Sequence, residues 1–127
     1  GLIILKGCQT IPINPKANIV ELSCYFQSPR DKNGINRVNI FLNIPKMLGN
    51  IKWTTFTAFD SGPLISTKEE FLILGTHGVS IINKNDLTYE VMGMQNSYKI
   101  DRVLLEKRED RLKLNHHNLL PGKCTVQ

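Results

Sequence analysis

The sequence contains no apolar run approaching the ~20 residues that a helix needs to cross a bilayer, which excludes a helical membrane span and leaves an anchored or soluble chain as the expectation. It has no internal repeat and no low-complexity tract, so a solenoid or a linker of biased composition is excluded as well. Charge of one sign is never concentrated. The densest basic stretch sets Lys99, Arg102, Lys107, Arg108, Arg111 and Lys113 among Asp101, Glu106, Glu109 and Asp110, with only Tyr98 for stacking. A nucleic-acid face gathers one sign and adds aromatics, so the net charge of +5 reads as a solvated, mixed surface.

Catalytic signatures are missing too. Gly75-Thr76-His77-Gly78 has glycines but no Lys-Ser/Thr to cradle phosphate, and reads as a turn. Asp60, Ser61 and His77 supply the residue types of a hydrolase without a Gly-x-Ser-x-Gly elbow. Glu69-Glu70 and Glu109-Asp110 are adjacent pairs, which suits solvation and not acid–base work across a cleft. His116 and His117, as neighbours on an extended chain, diverge to opposite sides, and no cysteine has a partner at ligand spacing. No catalytic residue, metal or cofactor is expected.

What is present fits one folded domain: 127 residues, 41% of them apolar and 21% charged. Val20, Leu22, Cys24 and Phe26 alternate on one face of a first strand. Asn33-Gly34 is a hairpin signal, and Val38, Ile40, Leu42 and Ile44 alternate on the return over 36–44. A third strand is read over 51–59, followed by a turn at Asp60-Ser61-Gly62-Pro63. Ser66 to Glu70 offers a capping-box-like helical turn, and Phe71–Leu74 a buried strand. Gly78–Ile82 and Leu87–Val91 make a second hairpin about the turn Asn83-Lys84-Asn85-Asp86. Val103 to Leu114 has helical propensities, but the alternation of Tyr98, Ile100, Arg102 and Leu104 favours strand, with Lys107–Asp110 as a hairpin tip. Pro121–Val126 closes the chain as a short edge strand. The expectation is a mainly β fold, an antiparallel sandwich or barrel of about seven strands with at most one short helix.

At the amino end, the apolar run Leu2-Ile3-Ile4-Leu5 followed by Lys6-Gly7-Cys8 resembles the tail of a secretory signal peptide meeting the lipobox of bacterial lipoproteins. In that pattern Leu, a small residue and Gly or Ala precede the cysteine that takes a diacylglyceryl group; Lys6 stands where the small residue belongs. The resemblance implies lipid attachment at Cys8, with 1–8 as the end of signal peptide and lipobox, 9–18 as tether and 19–127 as the β domain. Gln9 is similar to the residue of lipoproteins retained at the outer membrane. Pro12 and Pro15 favour an extended strap over ladder pairing. The competing reading makes 2–5 a first core strand and Cys8 a buried small hydrophobe.

Three cysteines leave one over in an exported chain. With Cys8 acylated, Cys24 and Cys124 are the remaining pair, and their bond closes a loop of about 100 residues worth up to ~4–5 kcal/mol in the chain-entropy model. In a cytosolic chain both would be reduced thiols. The order Ile82-Asn83-Lys84, Leu87-Thr88-Tyr89, Tyr98-Lys99-Ile100-Asp101-Arg102 and Gly122-Lys123-Cys124 resembles the C-terminal half of small exported proteobacterial proteins and lipoproteins of unknown function, which implies export and a terminal disulfide. Such families include inhibitors of host lysozymes.

The functional expectation is a non-catalytic lipoprotein domain of the bacterial cell envelope, held on the membrane by its lipid. It would bind an envelope or extracellular protein or an anionic glycan, with Lys107, Arg108 and Arg111 as candidate binding surface. Two alternatives stand beside it: a periplasmic or secreted inhibitor of a hydrolase such as lysozyme, and a cytosolic nucleic-acid-binding or toxin-neutralising module with free thiols.

Overall fold

The computed structural model describes residues 11–28, 34–54, 57–115 and 119–127. Eight strands follow one another: β1 Ile19–Gln27, β2 Ile35–Asn43, β3 Leu48–Trp53, β4 Phe59–Ser66, β5 Glu70–Leu74, β6 Gly78–Asn83, β7 Thr88–Gly93 and β8 Leu119–Val126. Each pairs antiparallel with its neighbour in the chain, and β8 returns to β1, so the sheet is a closed barrel without edges. Between β7 and β8 lies a helical insertion, a 3-10 turn at Ser97–Lys99, then α1 Val103–Glu106 and α2 Arg108–Asn115.

Alternation places Val20, Leu22, Cys24 and Phe26 of β1, and Val38, Ile40 and Leu42 of β2, in the interior. Ile73, Ile82 and Tyr89 meet them from the far wall. The lumen is therefore packed with side chains, as an eight-stranded barrel permits, and the Phe26 ring meets Tyr89 edge-on at 6.0 Å. Tyr89 is buried, and its hydroxyl finds the hydroxyl of Ser80 at 2.9 Å.

Several expectations need correction. The segment 51–59 is not one strand: β3 ends at Trp53 and β4 begins at Phe59, which raises the count to eight. Asp60-Ser61-Gly62-Pro63 is not a turn but lies within β4, paired with Leu48 to Ile51. Gly62 is there for contact, because a Cβ would sit 1.9 Å from the carbonyl oxygen of Leu74 on β5. Ser66 to Glu70 forms no helix. The Glu70 N–H donates to Thr67 Oγ1 at 3.1 Å and the Thr67 N–H to the Glu70 carbonyl at 2.9 Å, and the chain turns from β4 into β5. Pro121–Val126 is no edge, since β8 is paired on both sides and closes the barrel.

The largest correction concerns Val103–Leu114, which is helical. Propensity was the better guide there, because β5 and β6 are apolar on both faces. Leu72, Leu74, Val79 and Ile81 point outward beside Ile65 of β4 and Met92 of β7, and a second core forms where Leu105 of α1 joins them. Asp101 Oδ1 accepts the Val103 N–H at 3.1 Å at the start of α1, and Glu109 and Asp110 occupy the positive first turn of α2.

Candidate functional site

Of the residues singled out in the sequence, Leu2 to Gln9 with Cys8 among them, Asn33, His116 and His117 lie outside the described residues. Cys24 and Cys124 face each other in the β1–β8 ladder and are joined by a disulfide inside the barrel, spanning a sequence separation of 100.

The basic trio divides. Lys107 is exposed, and Arg108 is a surface residue whose Nη2 meets Glu90 Oε2 at 2.9 Å; that pairing holds its pKa above the ordinary arginine range. Arg111 does not belong to a binding surface at all, being 0% exposed. Its Nη2 meets Glu70 Oε2 at 2.9 Å and its Nη1 donates to the Leu105 carbonyl at 2.7 Å, while Nε has no partner among the described residues. A mixed-charge run reads as solvated, yet here one cation turns inward and fastens the insertion to β5.

Asp60, Ser61 and His77 do not assemble a triad. The Asp60 carboxylate is buried and accepts backbone N–H groups of Ser61 at 2.8 Å, Thr76 at 2.8 Å and His77 at 2.9 Å. Its work is structural: it clamps the β5–β6 turn, where a Cβ on Gly75 would lie 2.2 Å from Asp60 Oδ2. Ser97 holds the same turn from the insertion, its hydroxyl donating to the Gly75 carbonyl at 2.6 Å. The described residues hold no group of three or more His, Cys, Asp or Glu side chains placed for a metal. They also hold no helix long and apolar enough to cross a membrane.

Two features escaped the sequence reading. The first is the outer face of β1–β4. Ladder pairing aligns Ile19, Asn43, Leu48 and Pro63 in one row, and Glu21, Phe41, Asn50 and Ser61 in the next. Ile19 is 59% exposed, Leu48 47% and Phe41 37%; Phe59, opposite Lys52, and Tyr25, between Arg37 and Lys123, are exposed toward the other end of the barrel. Strand alternation indicated which residues point outward, but not that outward apolar residues of four strands adjoin.

The second is a pocket of about 410 Å³ at the end of the barrel where residues 11–18 cross the mouth. Ile13 is buried there and its N–H donates to the Lys84 carbonyl at 3.2 Å; the Asn18 carbonyl accepts the Ile44 N–H at 2.9 Å. Lys84 reaches across the β4–β5 turn. Its Nζ donates to Ser66 Oγ at 2.7 Å and to the Thr67 carbonyl, and sits 4.5 Å from the centre of the Phe71 ring. Partial burial holds its pKa below the ordinary lysine range. The signal for this site lies in the strap: Pro12 and Pro15 bar it from the sheet, and Ile13 between them needs cover.

Comparison with family models, with curated proteins and with solved structures finds no match for this chain.

Proposed function

We propose that this chain is a non-catalytic domain of a bacterial envelope lipoprotein, anchored at Cys8, that binds another envelope or extracellular protein through the outer face of β1–β4. The observation that carries the reading is the adjoining exposure of Ile19, Phe41, Leu48 and Pro63 on one side of a barrel whose other side is covered. Contiguous apolar surface rimmed by polar residues marks an interaction site on a folded domain, and Glu21, Asn39, Asn50 and Lys52 supply the rim. The Cys24–Cys124 disulfide supports export, because such bonds persist in oxidising compartments and are rare in the cytosol.

A hydrolase inhibitor presenting Lys107 to Arg111 has less to present, with Arg111 buried and Arg108 paired to Glu90. The test is intact mass and photo-crosslinking of the natively expressed protein. A lipid adduct on a chain beginning at Cys8, with crosslinks to a protein from position 41 and none from position 81, is the expected result. A mature form retaining residues 1–7, or equal crosslinking from both positions, overturns it.

A further inference from the structure

The lumen of the barrel is filled with core side chains. At the strap end, however, packing is incomplete. The pocket of about 410 Å³ lies within the size range of small-molecule sites, and its wall is mainly apolar: Pro12, Ile13, Val20, Ile44 and Phe71. Among the described residues no carboxylate lines it, and the cations at its surface are Lys84 and Lys68.

Lys84 is the informative residue. An ammonium has three protons; here two are taken by Ser66 Oγ and the Thr67 carbonyl, and the third has no acceptor among the described residues. Among the described residues its aromatic contact is the Phe71 ring, and it forms no ion pair with any described carboxylate, although the exposed Arg108 and the buried Arg111 of α2 each have one. A partly desolvated cation beside an apolar wall, with a donor to spare, is complementary to an anion that carries a hydrocarbon chain.

We propose that the pocket binds a single-chain carboxylate amphiphile, its head group on the Lys84 ammonium and its alkyl chain lying between the strap and Phe71. The strap then serves as the outer wall of a ligand site, held by the Ile13 N–H on the Lys84 carbonyl, so that one residue both fixes the wall and supplies the charge. This site is separate from the β1–β4 face and does not depend on it.

Isothermal titration of the full chain with octanoate, decanoate and dodecanoate, each below its micelle-forming concentration, tests the assignment. Saturable one-to-one binding is expected to tighten by about fourfold per added methylene until the pocket is full, and the trimethylammonium amphiphile of the same chain length should not bind. Lys84→Met should weaken dodecanoate binding at least tenfold. Because that change also removes two hydrogen bonds at the turn, Ile44→Trp, which fills the pocket from the rim, provides the second variant and should abolish binding with an unchanged circular dichroism spectrum. The proposal is overturned by the absence of saturable dodecanoate binding, by equal binding of the cationic amphiphile, or by wild-type affinity in both variants.

Discussion

On the outside of β5 and β6, Leu72, Leu74, Val79 and Ile81 lie under the helical insertion; on the outside of β1–β4, Ile19, Phe41, Leu48 and Phe59 meet solvent. The strands of the two regions differ in pattern. β1 and β2 alternate buried and exposed residues, whereas β5 is buried at four successive positions and β6 at four of its six. A strand with apolar side chains on both faces needs a second cover, and the chain supplies it from the β7–β8 connection. Apolar residues on the outside of β1–β4 are isolated by polar neighbours within each strand, so the domain folds without covering them. Their adjacency arises only between strands.

The strongest way to break this contrast is to remove the fastening of the insertion. Arg111→Ala leaves Glu70 and the Leu105 carbonyl without their buried partner and should cost about 3–4 kcal/mol in urea unfolding. Arg108→Ala, three residues earlier on the same helix but with an exposed ion pair to Glu90, should cost less than about 0.5 kcal/mol. Arg111→Met combined with Glu70→Leu should recover most of the loss, since Nε is already unpartnered and the guanidinium's desolvation is then avoided. Equal costs for the two arginines would mean that the insertion is not fastened by Arg111.

Leu105→Ala comes next, at about 2–4 kcal/mol, because Leu105 is 0% exposed and is the α1 residue in the second core. Hydrogen exchange sharpens the result. Amides of β5 and β6 should lose protection more than those of β1 and β2 if the cover stabilises its own side first; uniform loss would show that both sides open as one unit.

A smaller effect probes the interior that both sides share. Burial holds the Tyr89 phenol well above its ordinary value of 10.0. Above that value the unfolded chain releases a proton that the folded chain keeps, so the unfolded state binds fewer protons and stability falls as pH rises, by about 1.4 kcal/mol per pH unit. The slope should be absent in Tyr89→Phe, and an unchanged slope would place its origin elsewhere.

The barrel was legible in the sequence wherever burial is one-sided. Val20 to Phe26 and Val38 to Leu42 show the interior by alternation, and the hairpin around Asn83 to Asp86 follows from turn chemistry, with the Asn85 and Asp86 N–H groups donating to Asn83 Oδ1. Asp60 to Pro63 misled because Gly-Pro punctuation has two causes, a turn or a close approach of backbones, and only the contact with Leu74 distinguishes them. Val103 to Leu114 misled because the alternation of Tyr98 to Leu104 competes with helical propensity, and the second face of Phe71–Leu74 that calls for a helical cover lies elsewhere in the sequence. The disulfide partners Cys24 and Cys124 follow once the lipobox resemblance sets Cys8 aside. The β1–β4 face and the strap pocket did not follow, because each is assembled from residues distant in sequence whose adjacency depends on register.

The smallest expected change in stability carries the most functional information. Phe41→Ser and Leu48→Ser alter side chains that already face water, so each should shift the unfolding free energy by no more than about 0.5 kcal/mol. Mutations at the covered side act in the opposite way, costing stability while leaving the β1–β4 surface intact. If the bare face binds a protein, the Phe41→Ser and Leu48→Ser chains should fold normally and lose crosslinking to that partner, whereas Leu105→Ala chains that remain folded at low temperature should retain it. Large destabilisation by Phe41→Ser would instead make the apolar row part of the fold's own support, and retained crosslinking in both serine variants would move the interface elsewhere.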